Sequence, residues 1–193
     1  MTEPTIIAID ESIVTTTTSE TYIIGSAIII DPAQQSAVAQ FAREALHAGS
    51  PQRRRPFHWT AEGPDIRTAM INVAATHTTP VAIVRPFSAK NSESARLDCL
   101  TALFQHTSQY NTDLVLFESR EQAMTNIGQN RVDHQAITAA RHANVVPPTV
   151  KYQWVNKTEP IVWLADAIAG AVNLHQRGDT TYTRLLPTLH IQR

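Results

Sequence analysis

The chain is poor in several residues that build common kinds of site. One cysteine in 193 residues, Cys99, excludes an internal disulfide and any zinc site made of paired cysteines. Only six glycines are present, and none forms part of a phosphate-cradling glycine loop or a Gly-x-Ser-x-Gly elbow. No apolar run reaches the ~18–20 residues that cross a bilayer, so no membrane partner is expected. Charge of one sign is also missing: 16 basic residues face 17 acidic ones, for a net charge of −1. A chain this neutral has no global pull towards a polyanion, so nucleic acid would have to be held by a local basic patch or a metal. The first residues, Met1-Thr2-Glu3-Pro4, lack the basic region and apolar core of a secretion signal. With a single thiol, the expectation is a cytoplasmic protein.

What is present is a set of strongly apolar segments closed by acids. Thr5-Ile6-Ile7-Ala8-Ile9 reads as a strand buried on both faces, and it stops at Asp10-Glu11-Ser12. Carboxylates cannot be buried unpaired without a large cost, so Asp10 and Glu11 belong at a rim facing a cleft, or on a cation. The plain alternative is a polar strand end turning into a loop. Tyr22–Ile30 reads as a second strand, antiparallel to the first, with Gly25 marking a bulge or a close backbone approach. Asp31-Pro32 signals a helix carrying Val38, Phe41, Ala42, Ala45 and Leu46 on one stripe.

Further helices are expected over Pro64–His77, Ser92–Tyr110 and Gln129–Ala143, and strands over Pro80–Pro86, Asp113–Ser119 and Val150–Val155. Asp98 should face solvent and Cys99 should pack as a small hydrophobe. The strand at Asp113 again ends in an acid, Glu118. Asp133, near a helix start, suits the helix dipole or a role orienting water or a second ion. The last helix, beginning near Ile161, is apolar nearly all round yet contains Asp166. Trp163, Asp166, Gly170 and Asn173 share one of its faces. Gly170 costs such a helix ~1 kcal/mol, which suggests room for a metal, a substrate or another backbone. Buried in an apolar helix, Asp166 needs a partner, for which Lys157 or Arg120 would serve. Residues 176–193 read as a tail that docks late on the surface of a single domain spanning 1–193.

One basic cluster, Arg53-Arg54-Arg55, precedes Phe57-His58-Trp59. Its plain reading is a solvated loop beside a packed histidine. Its functional reading is a phosphate contact, shared with His58 and Lys157, next to aromatics that stack on a base.

Strands alternating with helices after an initial strand pair give an α/β fold with a mixed sheet of about five strands. Parallel neighbours would bring Asp10 and Glu118 to one edge, and a last helix across the sheet would add Asp166. Three such carboxylates repel unless a hard cation joins them, and oxygen ligands favour Mg²⁺ or Mn²⁺. Two ions ~3.5–4 Å apart would suit hydrolysis of a phosphodiester.

These pieces resemble the ribonuclease H-like superfamily and, more narrowly, the uncharacterised family called domain of unknown function 3800. The resemblance rests on Ile9-Asp10-Glu11-Ser12, the Tyr22–Ile30 strand, Phe57-His58-Trp59, Asn156-Lys157 and Leu164-Ala165-Asp166-Ala167-Ile168-Ala169-Gly170. It implies a ribonuclease H-like fold whose first-strand and last-helix acids, Asp10 and Asp166, bind metal. Glu118 takes the middle acidic position, and Glu11 assists. The chain departs from the pattern at Ile13, where glycine is common, and at Trp163, where glutamine is common. The expected function is a metal-dependent nuclease, a hydrolase of DNA or RNA. The competing expectations are a non-catalytic ribonuclease H-like module that binds nucleic acid or protein, and a small-molecule phosphohydrolase.

Overall fold

The computed structural model describes residues 5–15, 20–48, 55–88, 91–119 and 130–193. Its strands are β1 (Thr5–Thr15), β2 (Glu20–Ile29), β3 (Thr79–Phe87), β4 (Thr112–Glu118), β5 (Lys151–Val155) and β6 (His190–Gln192). Its α-helices are α1 (Gln35–His47), α2 (Pro64–His77), α3 (Ser92–Thr107), α4 (Arg131–His142) and α5 (Pro160–Gln176). The strands form one mixed sheet in the order β5-β4-β1-β2-β3-β6. Only β2 opposes its neighbours: it is antiparallel to β1 and β3, whereas β4 runs parallel to β1, β5 to β4 and β6 to β3.

Helices cover both faces, which is why the strands are so uniformly apolar. Ile6 and Ala8 of β1 and Leu116 of β4 pack with α1, α2 and α5. Ile7 and Ile9 of β1 and Val115 and Phe117 of β4 pack with α3 and α4. The period of two in a strand thus sorts even-numbered β1 residues to the α5 side and odd-numbered ones to the α3 side.

Three expectations change. Among the described residues the strand count is six, because His190–Gln192 leaves the tail to pair with β3, and Tyr182 and Leu186 of the same tail are buried. Strand β1 does not end at its acids but runs on to Thr15, paired with β2 throughout. Its pairing with β4, however, stops at Ile9–Phe117, so the sheet opens beside Asp10. Finally, Asp31 and Pro32 start a short 3₁₀ turn, with the Asp31 carboxylate accepting from Ala33 N at 2.9 Å, and α1 follows from it.

Gly25 fixes where α5 crosses. It lies opposite Asp10 in the β1–β2 ladder, and a Cβ there would meet the backbone of Ala165 and Ala169 at 2.5 Å. The close backbone approach expected at Gly25 is therefore real, and the backbone it approaches is that of α5.

Candidate functional site: an acidic cleft

Where β1 and β4 part, Asp10, Glu11, His58, Glu118, Ser119, Lys157 and Asp166 line a cleft of ≈ 210 Å³. Strand alternation explains the arrangement. Asp10 continues the Ile6–Ala8 face and Glu118 continues the Leu114–Leu116 face, so both point to the side covered by α5. There, one helix position past the contact with Gly25, stands Asp166. Glu11 borders the cleft, but its carboxylate turns to the other face of the sheet, where the buried guanidinium of Arg96 forms an ion pair with it.

Asp166 is 8% exposed. Its Oδ2 accepts from Trp59 N at 2.9 Å and faces His58 Nδ1 at 3.4 Å. The partner of this acid is thus a backbone amide and a histidine, not Lys157. Arg120, like Arg53 and Arg54, lies outside the described residues. The extended backbone at His58 (φ −153°, ψ 117°) alternates the side chains of Phe57-His58-Trp59. Phe57 and Trp59 enter the core, and His58 turns outward to the cleft with half its side chain exposed. His58 is therefore not a packed core residue, and the two aromatics are too buried to stack on a base. The hydrogen bond to Asp166 raises the His58 pKa above its ordinary value, although burial opposes it.

The face of α5 singled out by spacing builds this corner. Trp163 Nε1 donates to Lys157 O, holding the loop that carries Lys157. Gly170 leaves room for the indole of Trp59, a side chain rather than a ligand or a backbone. Asn173 Nδ2 donates to Ser12 Oγ at 2.8 Å and Ile13 O at 3.0 Å, tying down β1 beyond the acids.

The charges are unevenly compensated. Lys157 Nζ lies 2.8 Å from Glu118 Oε1. Burial lowers the Lys157 pKa, but Glu118, Asp10 and Asp166 together outweigh it and hold the ammonium charged above its ordinary range. Burial pushes the Asp10 carboxyl well above the usual carboxylate range; Asp166 and Glu118 push further, and Lys157 and Arg96 offset only part of it. Asp10 Oδ1 accepts from Glu11 N at 2.8 Å. Asp10 Oδ2 and Asp166 Oδ1 accept no hydrogen bond from the described residues.

Other candidates lie elsewhere. Asp133 is fully buried on the α3 side, where it takes Arg96 Nε at 2.6 Å and Trp154 Nε1 at 3.0 Å. It neither serves the helix dipole alone nor reaches water in the cleft. Arg55 donates to Ala61 O at 2.9 Å and approaches Glu62 at 3.8 Å, in a separate groove with Arg43 and His47. Sequence reasoning missed Arg96, although a signal existed. Arg96, Cys99, Leu100 and Leu103 fall at i, i+3, i+4 and i+7, so the arginine occupies an apolar stripe.

Among the described residues, no three His, Cys, Asp or Glu side chains form a ready metal-ligand set. Glu118 is engaged by Lys157, which leaves Asp10 and Asp166 as the donors. Two carboxylates with one uncommitted oxygen each fit a hard cation, since Mg²⁺ is ordinarily held by one or two carboxylates together with water and substrate oxygens.

Fold and site define an α/β protein with an acidic cleft where the parallel pairing of its central strands β1 and β4 stops. No protein-family model matches the chain, and no curated protein matches it in sequence.

Proposed function

We propose that the chain is a divalent-metal-dependent phosphodiester hydrolase of the ribonuclease H-like kind, with nucleic acid as substrate. One observation carries the reading: Asp10, Glu118 and Asp166, from β1, β4 and α5, line a single cleft in which burial and the other two acids disfavour ionisation of Asp10. Such a cluster is tolerable at neutral pH when a cation shares it. The meeting of a first-strand acid with a last-helix acid is also what the family resemblance implies.

Asp10 and Asp166 would hold Mg²⁺ or Mn²⁺ through their uncommitted oxygens. When bound, the ion supplies charge neutralisation and Lewis-acid polarisation of a phosphodiester. The remaining work falls to the chain. Trp59 N fixes the orientation of Asp166, and Arg96 holds Glu11 away from the α5 side. Lys157 places a positive charge where a phosphate oxygen would approach. Protonated His58 would keep its Nδ1–H on Asp166 and, half exposed to the cleft, give its Nε2 proton to a departing oxygen.

The test is Mn²⁺- or Mg²⁺-stimulated cleavage of single- and double-stranded DNA and RNA. Asp10→Asn and Asp166→Asn should each lower the rate by about 10²-fold or more, the scale on which one electrostatic contributor acts. Unchanged cleavage in both folded variants removes these roles.

The Lys157–Glu118 ion pair favours a second reading, in which a lysine has replaced the cation and the module binds without catalysis. Calorimetry with Mn²⁺ separates the two. No heat and no shift in melting temperature select the non-catalytic module.

A further inference from the structure

A second cleft, of ≈ 400 Å³, lies beside the acidic one. Ser12, Trp59, Thr60, Arg67, Asn173 and Arg177 line it, with two aliphatic residues and no carboxylate. In a chain of net charge −1 this wall is a local reversal of sign. Its two guanidinium groups are held in place. Arg67 Nε donates to Trp59 O at 2.9 Å, and its guanidinium carbon sits 4.9 Å from the centre of the Trp59 ring. Arg177 Nε donates to Asn173 Oδ1 at 3.0 Å. Neither arginine meets a carboxylate among the described residues, and the terminal N–H groups of both make no hydrogen bond there. Pre-oriented guanidinium groups with spare donors, beside hydroxyl and amide groups, suit phosphate oxygens.

The two clefts share their walls. Ser12 follows Glu11 on β1, and Thr60 follows the His58-Trp59 pair. Arg177, the C-cap residue of α5, follows the stripe Trp163, Asp166, Gly170 and Asn173 by a further four residues. At 1.5 Å per residue, Asn173 is ~10 Å and Arg177 ~16 Å along the helix from Asp166. Phosphates along one strand of a duplex advance ~3.4 Å each, so this reach equals about three to five nucleotides. A mononucleotide would fill one cleft only.

We propose that the Arg67–Arg177 cleft is a phosphate-backbone subsite for a polynucleotide strand, entered several nucleotides away from the acidic cleft. The location of the scissile bond rests on the nuclease reading; the binding of the strand does not. The substrate class is therefore a polynucleotide rather than a free nucleotide or a small phosphate ester.

Fluorescence anisotropy with labelled single strands of about 12 nucleotides, DNA and RNA, tests this in EDTA, where no cleavage occurs. Arg177→Glu is the main variant, because Arg177 is exposed whereas Arg67 also holds the Trp59 backbone. Its fold is checked by thermal melting. The expected result is about tenfold weaker binding and a salt slope reduced by about 1–2, with Arg177→Lys close to wild type. Equal affinity of wild type and Arg177→Glu overturns the subsite, as does failure of the wild type to bind either strand. Cleavage with Mn²⁺ is scored separately. Arg177-dependent binding without any cleavage sinks the nuclease reading and leaves the subsite. Cleavage with Arg177-independent binding does the reverse.

Discussion

Gly25 faces Asp10 across the β1–β2 ladder and touches the backbone of Ala165, the residue before Asp166. One missing side chain therefore sets the approach of the two acids, because any Cβ at position 25 forces α5 off the sheet. Gly25→Ala should destabilise the protein by about 1–3 kcal/mol through overpacking against backbone that cannot yield. In a chain of this size that lowers the melting temperature by ~2–12 °C. A melting curve equal to wild type would show that α5 can shift at little cost.

Lys157 stands on Glu118 at 2.8 Å and so competes with any cation in the cleft. Lys157→Met should tighten Mn²⁺ binding. Unit charges ~4 Å apart interact by ~1 kcal/mol even with full aqueous screening, which is about fivefold in a binding constant. Titration calorimetry reads this without reference to catalysis. Weaker Mn²⁺ binding in the variant would mean that the lysine supports the ion site rather than occupying it.

Asp10 holds its proton to higher pH in the folded chain than in the unfolded chain, where a free aspartate titrates near ~3.9. Between those two values the folded state binds the extra proton, so stability falls as pH rises. Above the folded value the whole penalty is present. Asp10→Asn should therefore melt higher than wild type at neutral pH in EDTA. The difference should vanish below the unfolded value. Thermal melts across pH check this, and a lower melting temperature for the variant at neutral pH would refute it. Added Mn²⁺ should raise the wild type and leave the variant unchanged.

Arg96 is 2% exposed and bridges Glu11 and Asp133, with Tyr22 Oη at 3.3 Å. Arg96→Met strands two acids around an apolar side chain. Breaking a buried pair in this way costs about 3–5 kcal/mol. Urea unfolding should show that loss, and Asp133→Asn in the same background should recover part of it.

Much of the site was legible because apolar context makes an acid conspicuous. Ile6–Ile9 and Leu114–Phe117 are too hydrophobic to end in unpaired carboxylates without reason, and Asp166 interrupts an otherwise apolar helix. The stripe from Trp163 to Asn173 was legible from helical spacing alone. The partners were not. A backbone amide reaching Asp166 from Trp59, more than 100 residues away, leaves no trace in composition. The lysine on Glu118 and the indole beside Gly170 depend on loop paths that no local pattern encodes. The sixth strand was missed because His190–Gln192 is three residues long and carries no alternation. The outward turn of His58 follows from one extended dihedral pair between two buried aromatics.

Alternation along β1 gives its two neighbouring acids different employers: Asp10 serves the cleft, and Glu11 serves the buried arginine. Insertion of a single residue between Ile9 and Asp10 would exchange the faces to which the two acids point. The ten matched positions from Ile6 to Thr15 that lock β1 against β2 therefore fix the acidic cleft as well as the core.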